Sequence, residues 1–295
     1  MSVFSLILRQ AINGLQIGSI YALVALGYSM VYGIIMLLNF AHGDIIMIGA
    51  YVAWFCMCAL AVSPVLAAVA AILGCVLLGV TIEKVAYTPL RQSPRLSLLI
   101  TAIGVSYLLE NLAQLIFGAS AKPIPSFMPA STVKLGSVEI SWTALITLSV
   151  TAASMLALSF LVKKTRMGKA MRAVSEDMGA AQLMGINING TITFTFAVGS
   201  ALAGIASVLY CSAYPQATPT MGSMLGLKAF VAAVLGGIGS IPGAMIGGFA
   251  IGLAEALVSA VGLSVWKDGV VFAILILVLL LKPTGIMGHK IQEKV

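Results

Sequence analysis

Charge is what this chain has least of. Only 8% of its 295 residues are Asp, Glu, Lys or Arg, while 60% are hydrophobic, and the mean hydropathy is +1.10. A water-soluble domain cannot hide that much apolar surface in one core, so the composition excludes a soluble enzyme or regulator and specifies a polytopic membrane protein. Alternating apolar and polar segments of the barrel type are also missing. The repeated apolar runs instead fit helices, which satisfy their own backbone hydrogen bonds in hydrocarbon. The expected fold class is all-α.

Other absences narrow the chemistry. The two histidines, His42 and His289, are too few for a histidine-based metal centre, and the four cysteines, Cys56, Cys58, Cys75 and Cys211, lie in or beside apolar runs without C-x-x-C spacing. They read as packing residues, with neither disulfide nor metal expected. No G-x-x-x-x-G-K-[ST] loop occurs, so any ATP must be hydrolysed by another chain. With no G-x-S-x-G or H-E-x-x-H motif, an intramembrane hydrolase is remote. No catalytic residue, metal or bound cofactor is expected. The single cation Arg9 precedes an apolar run too long for a signal-peptide core, which reads as a retained helix.

The apolar runs predict spans near 11–35, 45–61, 65–82, 96–117, 142–162 and 190–213, a glycine-interrupted region at 224–261, and a last helix near 269–281. That makes about eight transmembrane helices, or nine if "VLGGIGSIPGAMIGG" (234–248) separates two short ones. The net charge of +7 sits mostly in short loops: Lys84, Arg91 and Arg95; Lys163, Lys164, Arg166, Lys169 and Arg172; Lys282, Lys290 and Lys294. These are expected to be cytoplasmic. The segment 118–141, with prolines at 123, 125 and 129, is then extended and outside, and Lys122, Lys134 and Glu139 lie there. The amino terminus is expected outside if 36–44 is a cytoplasmic turn and inside if that segment is re-entrant. Glycine pairs at i, i+4 (Gly14/Gly18, Gly239/Gly243, Gly243/Gly247, Gly248/Gly252) predict close helix packing.

Two interruptions stand out. In "NFAHGD", Asn39 is expected to cap the following helix, Gly43 to supply a turn, and Asp44 to sit favourably in the first helical turn. One His with one Asp is a poor catalytic or metal constellation, so the segment reads as a helix break. The second interruption holds Gly236, Gly237, Gly239, Pro242 and Gly243. Paired breaks in the two halves of a transporter point to the translocation path. Among intramembrane ions, Glu110 is expected to hydrogen-bond between helices, Glu255 to serve packing or the path, and Lys228 to reach the surface.

The longest polar insertion, residues 163–189, has Met167, Met171, Val174 and Met178 at helical spacing, then Leu183 and Met184 before Gly185. It reads as a short helix offered to a cytoplasmic partner, with methionines as adaptable knobs. "GAAQLMG" (179–185) resembles the E-A-A-x-x-x-G coupling loop of ABC importer permeases, with Gly179 at the usual acidic position, Glu176 and Asp177 just upstream, and Ala180, Ala181 and Gly185 matching the pattern. "GSIYALVALGYSMVYGI", "NFAHGD", "RMGKAMRAVSED", "LMGIN", "KAFVAAVLGGIGSIPGAMIGG" and "GLAEAL" together resemble LivH-type permease subunits of high-affinity branched-chain amino acid ABC importers, nearly end to end. The resemblance implies one transmembrane permease domain over 1–295, with 163–189 as its ATPase-coupling loop, in the bacterial inner membrane. It also implies a second related permease, two cytoplasmic ATPase subunits using ATP and Mg, and a periplasmic protein delivering leucine, isoleucine or valine. Related permeases carry other amino acids, urea or amides. A self-sufficient secondary transporter or channel is the rival, and the coupling loop argues against it.

Overall fold

The computed structural model describes residues 3–288 except 37, 92, 129–130 and 136–137; Pro129, His289, Lys290 and Lys294 therefore lie outside the described residues. The architecture is the all-α one expected from composition. Eight helices among the described residues are long and apolar enough to cross a membrane, and a ninth apolar helix of 16 residues is too short for a full crossing by itself.

In chain order, α1 (Val3–Ile35), α2 (His42–Trp54, extended by a π-turn at Phe55–Ala59), α3 (Pro64–Ile82) and α4 (Arg95–Phe117) form the first half. Helix α3 runs on through a π-turn at Glu83–Tyr87 and a 3₁₀ turn at Thr88–Leu90. After β1 (Lys122–Pro123), β2 (Thr132–Leu135) and β3 (Val138–Ser141), the second half holds α5 (Trp142–Lys164), α6 (Arg166–Glu176), α7 (Met178–Leu183) and α8 (Ile188–Ala213). Strand β4 (Gln216–Ala217), α9 (Met221–Gly236), α10 (Ile241–Ala260) and α11 (Lys267–Leu281) complete it. The strands make an antiparallel β2–β3 hairpin and a short antiparallel β1–β4 pair, both on one face. The 118–141 segment contains extended backbone, as expected, and part of it pairs as a hairpin because the run from 131 to 141 carries no proline and can form a ladder.

Glycine decides which helices touch. Along α10, Gly248 and Gly252 face α1, where a Cβ on either would enter the backbone of Ala22 or Gly18, while Gly243 and Gly247 face the α9 backbone at Gly236 and Ala232. Gly14 and Gly18 answer from α1, so the predicted small-residue seams are real and α10 carries two of them. Between these faces lie Ile20, Leu23, Leu26, Ile251 and Ala229, all fully buried. By contrast α4 and α11 expose Leu96, Ile100, Leu115, Leu280 and Leu281, as expected of helices bathed in lipid or covered by a partner.

The side of the amino-terminal helix follows from contacts. The Arg9 guanidinium meets the Glu139 carboxylate at 3.4 Å, and α1 packs on β3 near its start and on α6 farther along. Arg9 therefore shares a face with the 118–141 segment, and the basic loops share the other, where Arg91 donates to the Asn189 side chain at 2.5 Å. With the basic face cytoplasmic, Arg9 is extracytoplasmic. In a chain freed of its native cysteines, Arg9→Cys with Glu139→Cys is predicted to form a disulfide on mild oxidation and to react with an impermeant thiol reagent added outside; no crosslink under oxidation contradicts this topology.

Candidate functional site

The first interruption lies inside the protein. Helix α2 begins at His42, whose ring stands edge-on to Tyr28 at 4.9 Å between centroids and against Gly27, where any Cβ would collide with the imidazole. Gly27 is eight residues before the end of α1, about 12 Å along its axis, so the chain folds back before α2 starts. His42, Gly43 and Asp44 are all buried. The chain therefore turns back between two crossing helices, with Met36, Leu38 and Phe40 of the turn half-buried and the start of α2 deep in the protein.

Two roles assigned from sequence need correction. Asn39 does not cap α2: the N-cap is Ala41, without a side-chain cap, and Asn39 Oδ1 accepts from the Tyr87 hydroxyl at 2.7 Å. The backbone at Ala41 is already helical, so no cap geometry is available to Asn39, whose side chain instead satisfies the buried phenol. Gly43 is not a flexible turn either. It sits within the first turn of α2, flush against Gly222 and Gly226 of α9, and a side chain at any of the three would enter another backbone. Asp44 does lie in the first helical turn, as expected.

The second interruption sits at the other end of α9. Gly236 ends that helix; Gly237 and Gly239 take φ of 103° and 90°, conformations that only glycine adopts without strain. Ser240 caps α10 by accepting from the Gly243 amide, and Pro242 stands in the first turn, where its missing N–H is harmless. The amides of Ile286 and Met287 donate to the carbonyls of Leu235 and Gly236, both at 2.9 Å. The carboxyl-terminal segment thereby satisfies backbone groups that the end of α9 leaves open. The two breaks are not brought together; α9 spans from one to the other.

Buried ions cluster near the extracytoplasmic face. Lys228 does not snorkel to the surface: its side chain is 8% exposed, and its ammonium stands 2.6 Å from both Glu255 and Asp268. Glu255 also accepts from the Tyr21 hydroxyl at 2.8 Å. A buried ammonium with two carboxylates at contact is better satisfied there than by a stretched stem reaching for water. The triad ties α9, α10 and α11 together and reaches α1 through Tyr21. Glu110, as expected, bridges helices by accepting from the Ser223 hydroxyl of α9.

Sequence reasoning missed Glu83. It is fully buried and accepts from Arg91, from Thr88 at 2.8 Å and from Thr193 at 2.8 Å. Only its position one residue before Lys84, in a segment read as a solvated loop, could have hinted at this.

In the 163–189 loop, Thr165, Asp177 and Asn187 cap α6, α7 and α8 by accepting amides three residues on. Met171 and Val174 face inward with Ala181, all buried, while Leu183 and Met184 are 90% and 82% exposed. The inner stripe therefore anchors the loop to its own protein. What is presented outward is α7 with Glu176, Asp177, Gly179, Ala180 and the turn at Gly185, φ 80°.

Residues 10–279 match the family described as the permease component of branched-chain amino acid transport systems. The chain belongs to that family. It is 46% identical to the LivH permease protein of high-affinity branched-chain amino acid transport in Salmonella typhimurium, over 99% of each chain. To the corresponding BraD protein of Pseudomonas aeruginosa it is 46% identical over 98% of each. A solved structure, PsaBC from Streptococcus pneumoniae in complex with Fab, matches with a TM-score of 0.50 at 13% identity over 92% of this chain and 91% of that one. That likeness speaks to fold alone. As a permease component, the chain is a membrane-spanning subunit and not itself a catalyst.

In this permease the ion triad is the costliest polar feature to disturb. Lys228→Met leaves the buried Glu255 carboxylate without its cation and is predicted to destabilise by about 3 kcal/mol or more. Adding Glu255→Gln recovers part of that loss. Thermal unfolding of the two variants in detergent checks this; equal stability of Lys228→Met and the unmodified chain contradicts it.

Proposed function

We propose that this chain is one permease half of an ATP-driven importer that moves leucine, isoleucine or valine across the bacterial inner membrane. A second, related permease would complete the pore, two cytoplasmic ATPase subunits would hydrolyse ATP, and a periplasmic binding protein would deliver the substrate. The end-to-end identity to LivH and BraD proteins is the observation that carries this reading.

The local chemistry supports it. An importer subunit without a nucleotide site needs a surface through which an ATPase can push, and α7 supplies one on the basic face: Leu183 and Met184 stand out from it while Met171, Val174 and Ala181 fix it to the helices behind. Exposed apolar side chains on an anchored helix suit a complementary groove. ATP binding would close the ATPase pair, displace the loop and move α5 and α8, to which the loop is continuous. The breaks at Asn39, His42, Gly43 and Asp44 and at Gly236 to Gly243 would then be the two ends between which α9 is held. Specificity would reside mainly in the binding protein, since tight binding within the membrane hinders release.

Leu183→Asp and Met184→Asp place a charge on the exposed knob without touching the buried stripe. Each is predicted to lower leucine uptake by roughly tenfold or more, with the subunit still inserted at its normal level. Normal uptake by the double variant sinks the docking role of α7.

A further inference from the structure

The first turns of α1 break the hydrocarbon character of that helix. Gln10, Asn13 and Gln16 recur at three-residue spacing, which puts their amides on one helical face, yet they lie within the span Ile7–Ile35. Amide side chains are costly in lipid unless they meet protein or water. They meet a cavity of about 260 Å³. Its walls come from α1, the end of α8, α10 and the start of α11, and Tyr214 on its rim adjoins Pro215, whose carbonyl accepts from Ile124 of the extracytoplasmic segment at 3.0 Å. The cavity is therefore on the face opposite the basic loops.

Its lining carries charge of both signs. Glu255 stands on one wall and Lys267 on another, with Ser259 between them along the chain and Ile17, Ala213 and Ala256 supplying apolar surface. We propose that this cavity is a receiving subsite for a small zwitterion with an aliphatic side chain, a reading that rests on the importer function above. The ligand ammonium would approach Glu255. That carboxylate already holds Lys228 and the Tyr21 hydroxyl, but a carboxylate has about four acceptor positions and can take a further donor. The ligand carboxylate would face Lys267, and the aliphatic chain the Ile17–Ala256 wall. Net neutrality is the selective feature: an anion would meet Glu255 and a cation Lys267. Because Glu255 also belongs to the triad that clasps α9, α10 and α11, occupancy is felt by the helix that links the two breaks.

Asn13→Leu and Ser259→Leu fill the cavity with hydrocarbon without touching the triad or the coupling loop. In the complete importer reconstituted with its partners, each is predicted to reduce leucine uptake by roughly tenfold or more. ATP hydrolysis stimulated by the leucine-loaded binding protein persists, since the α7 surface is intact. Uptake within twofold of the unmodified complex by both variants overturns the proposal. A second readout covers failed assembly: with the native cysteines replaced, Asn13→Cys is expected to react with an impermeant thiol reagent added outside, more slowly when loaded binding protein is present than when it is empty. No reaction, or a rate indifferent to leucine, also overturns it. An unmodified complex that takes up no leucine sinks the importer reading instead, and labelling at position 13 then still decides whether the cavity opens to water.

Discussion

Backbone-to-backbone contact through glycine is the constraint on which the rest of this structure depends. Between helices in lipid there is no hydrophobic drive to associate, so contact must be close enough for dispersion and weak polar contacts to matter. Helix α10 achieves this twice, with Gly248 and Gly252 against α1 and Gly243 and Gly247 against α9. Helix α2 does it once more through Gly43 against Gly222 and Gly226. Remove these seams and α9, too short to span the membrane, loses the neighbours that hold it.

With α9 held, the polar residues acquire their meaning. Lys228, Glu255, Asp268 and Tyr21 form one satisfied network at the extracytoplasmic end, and Glu110 finds Ser223 on the first turn of α9. At the basic face, Glu83 gathers Arg91, Thr88 and Thr193 and so pins the end of α3 to α8. Each group sits where its partner lowers the cost of burial. The 163–189 loop is held in the same sense: three side-chain caps and a buried Met171–Val174–Ala181 stripe fix it to the helices behind.

Much of this was legible in the sequence. Apolar run length matched the spans, loop cations marked segments that gather at one end, and i, i+4 glycines marked the seams, because each follows from a local rule. The helical spacing within 163–189 marked the short helices α6 and α7. What could not be read was pairing across distance. Nothing near Lys228 in sequence reveals that Asp268, forty residues on, stands 2.6 Å from it, and an isolated lysine in an apolar run is indistinguishable from one that snorkels. The same holds for Asn39, where the local pattern of a cap was overridden by a buried tyrosine 48 residues away. The methionine stripe divides, with Met167 and Met178 exposed and Met171 and Val174 buried: helical periodicity shows that a face is apolar but not whether the chain itself or a partner covers it.

Transport by a permease half is expected to need other chains. The decisive measurement is leucine flux into proteoliposomes containing this permease, its partner permease and the two ATPase subunits, with binding protein outside and ATP enclosed. The account predicts uptake that requires ATP and loaded binding protein together and disappears when either is withheld. Leucine flux by this chain alone, without ATP, contradicts it.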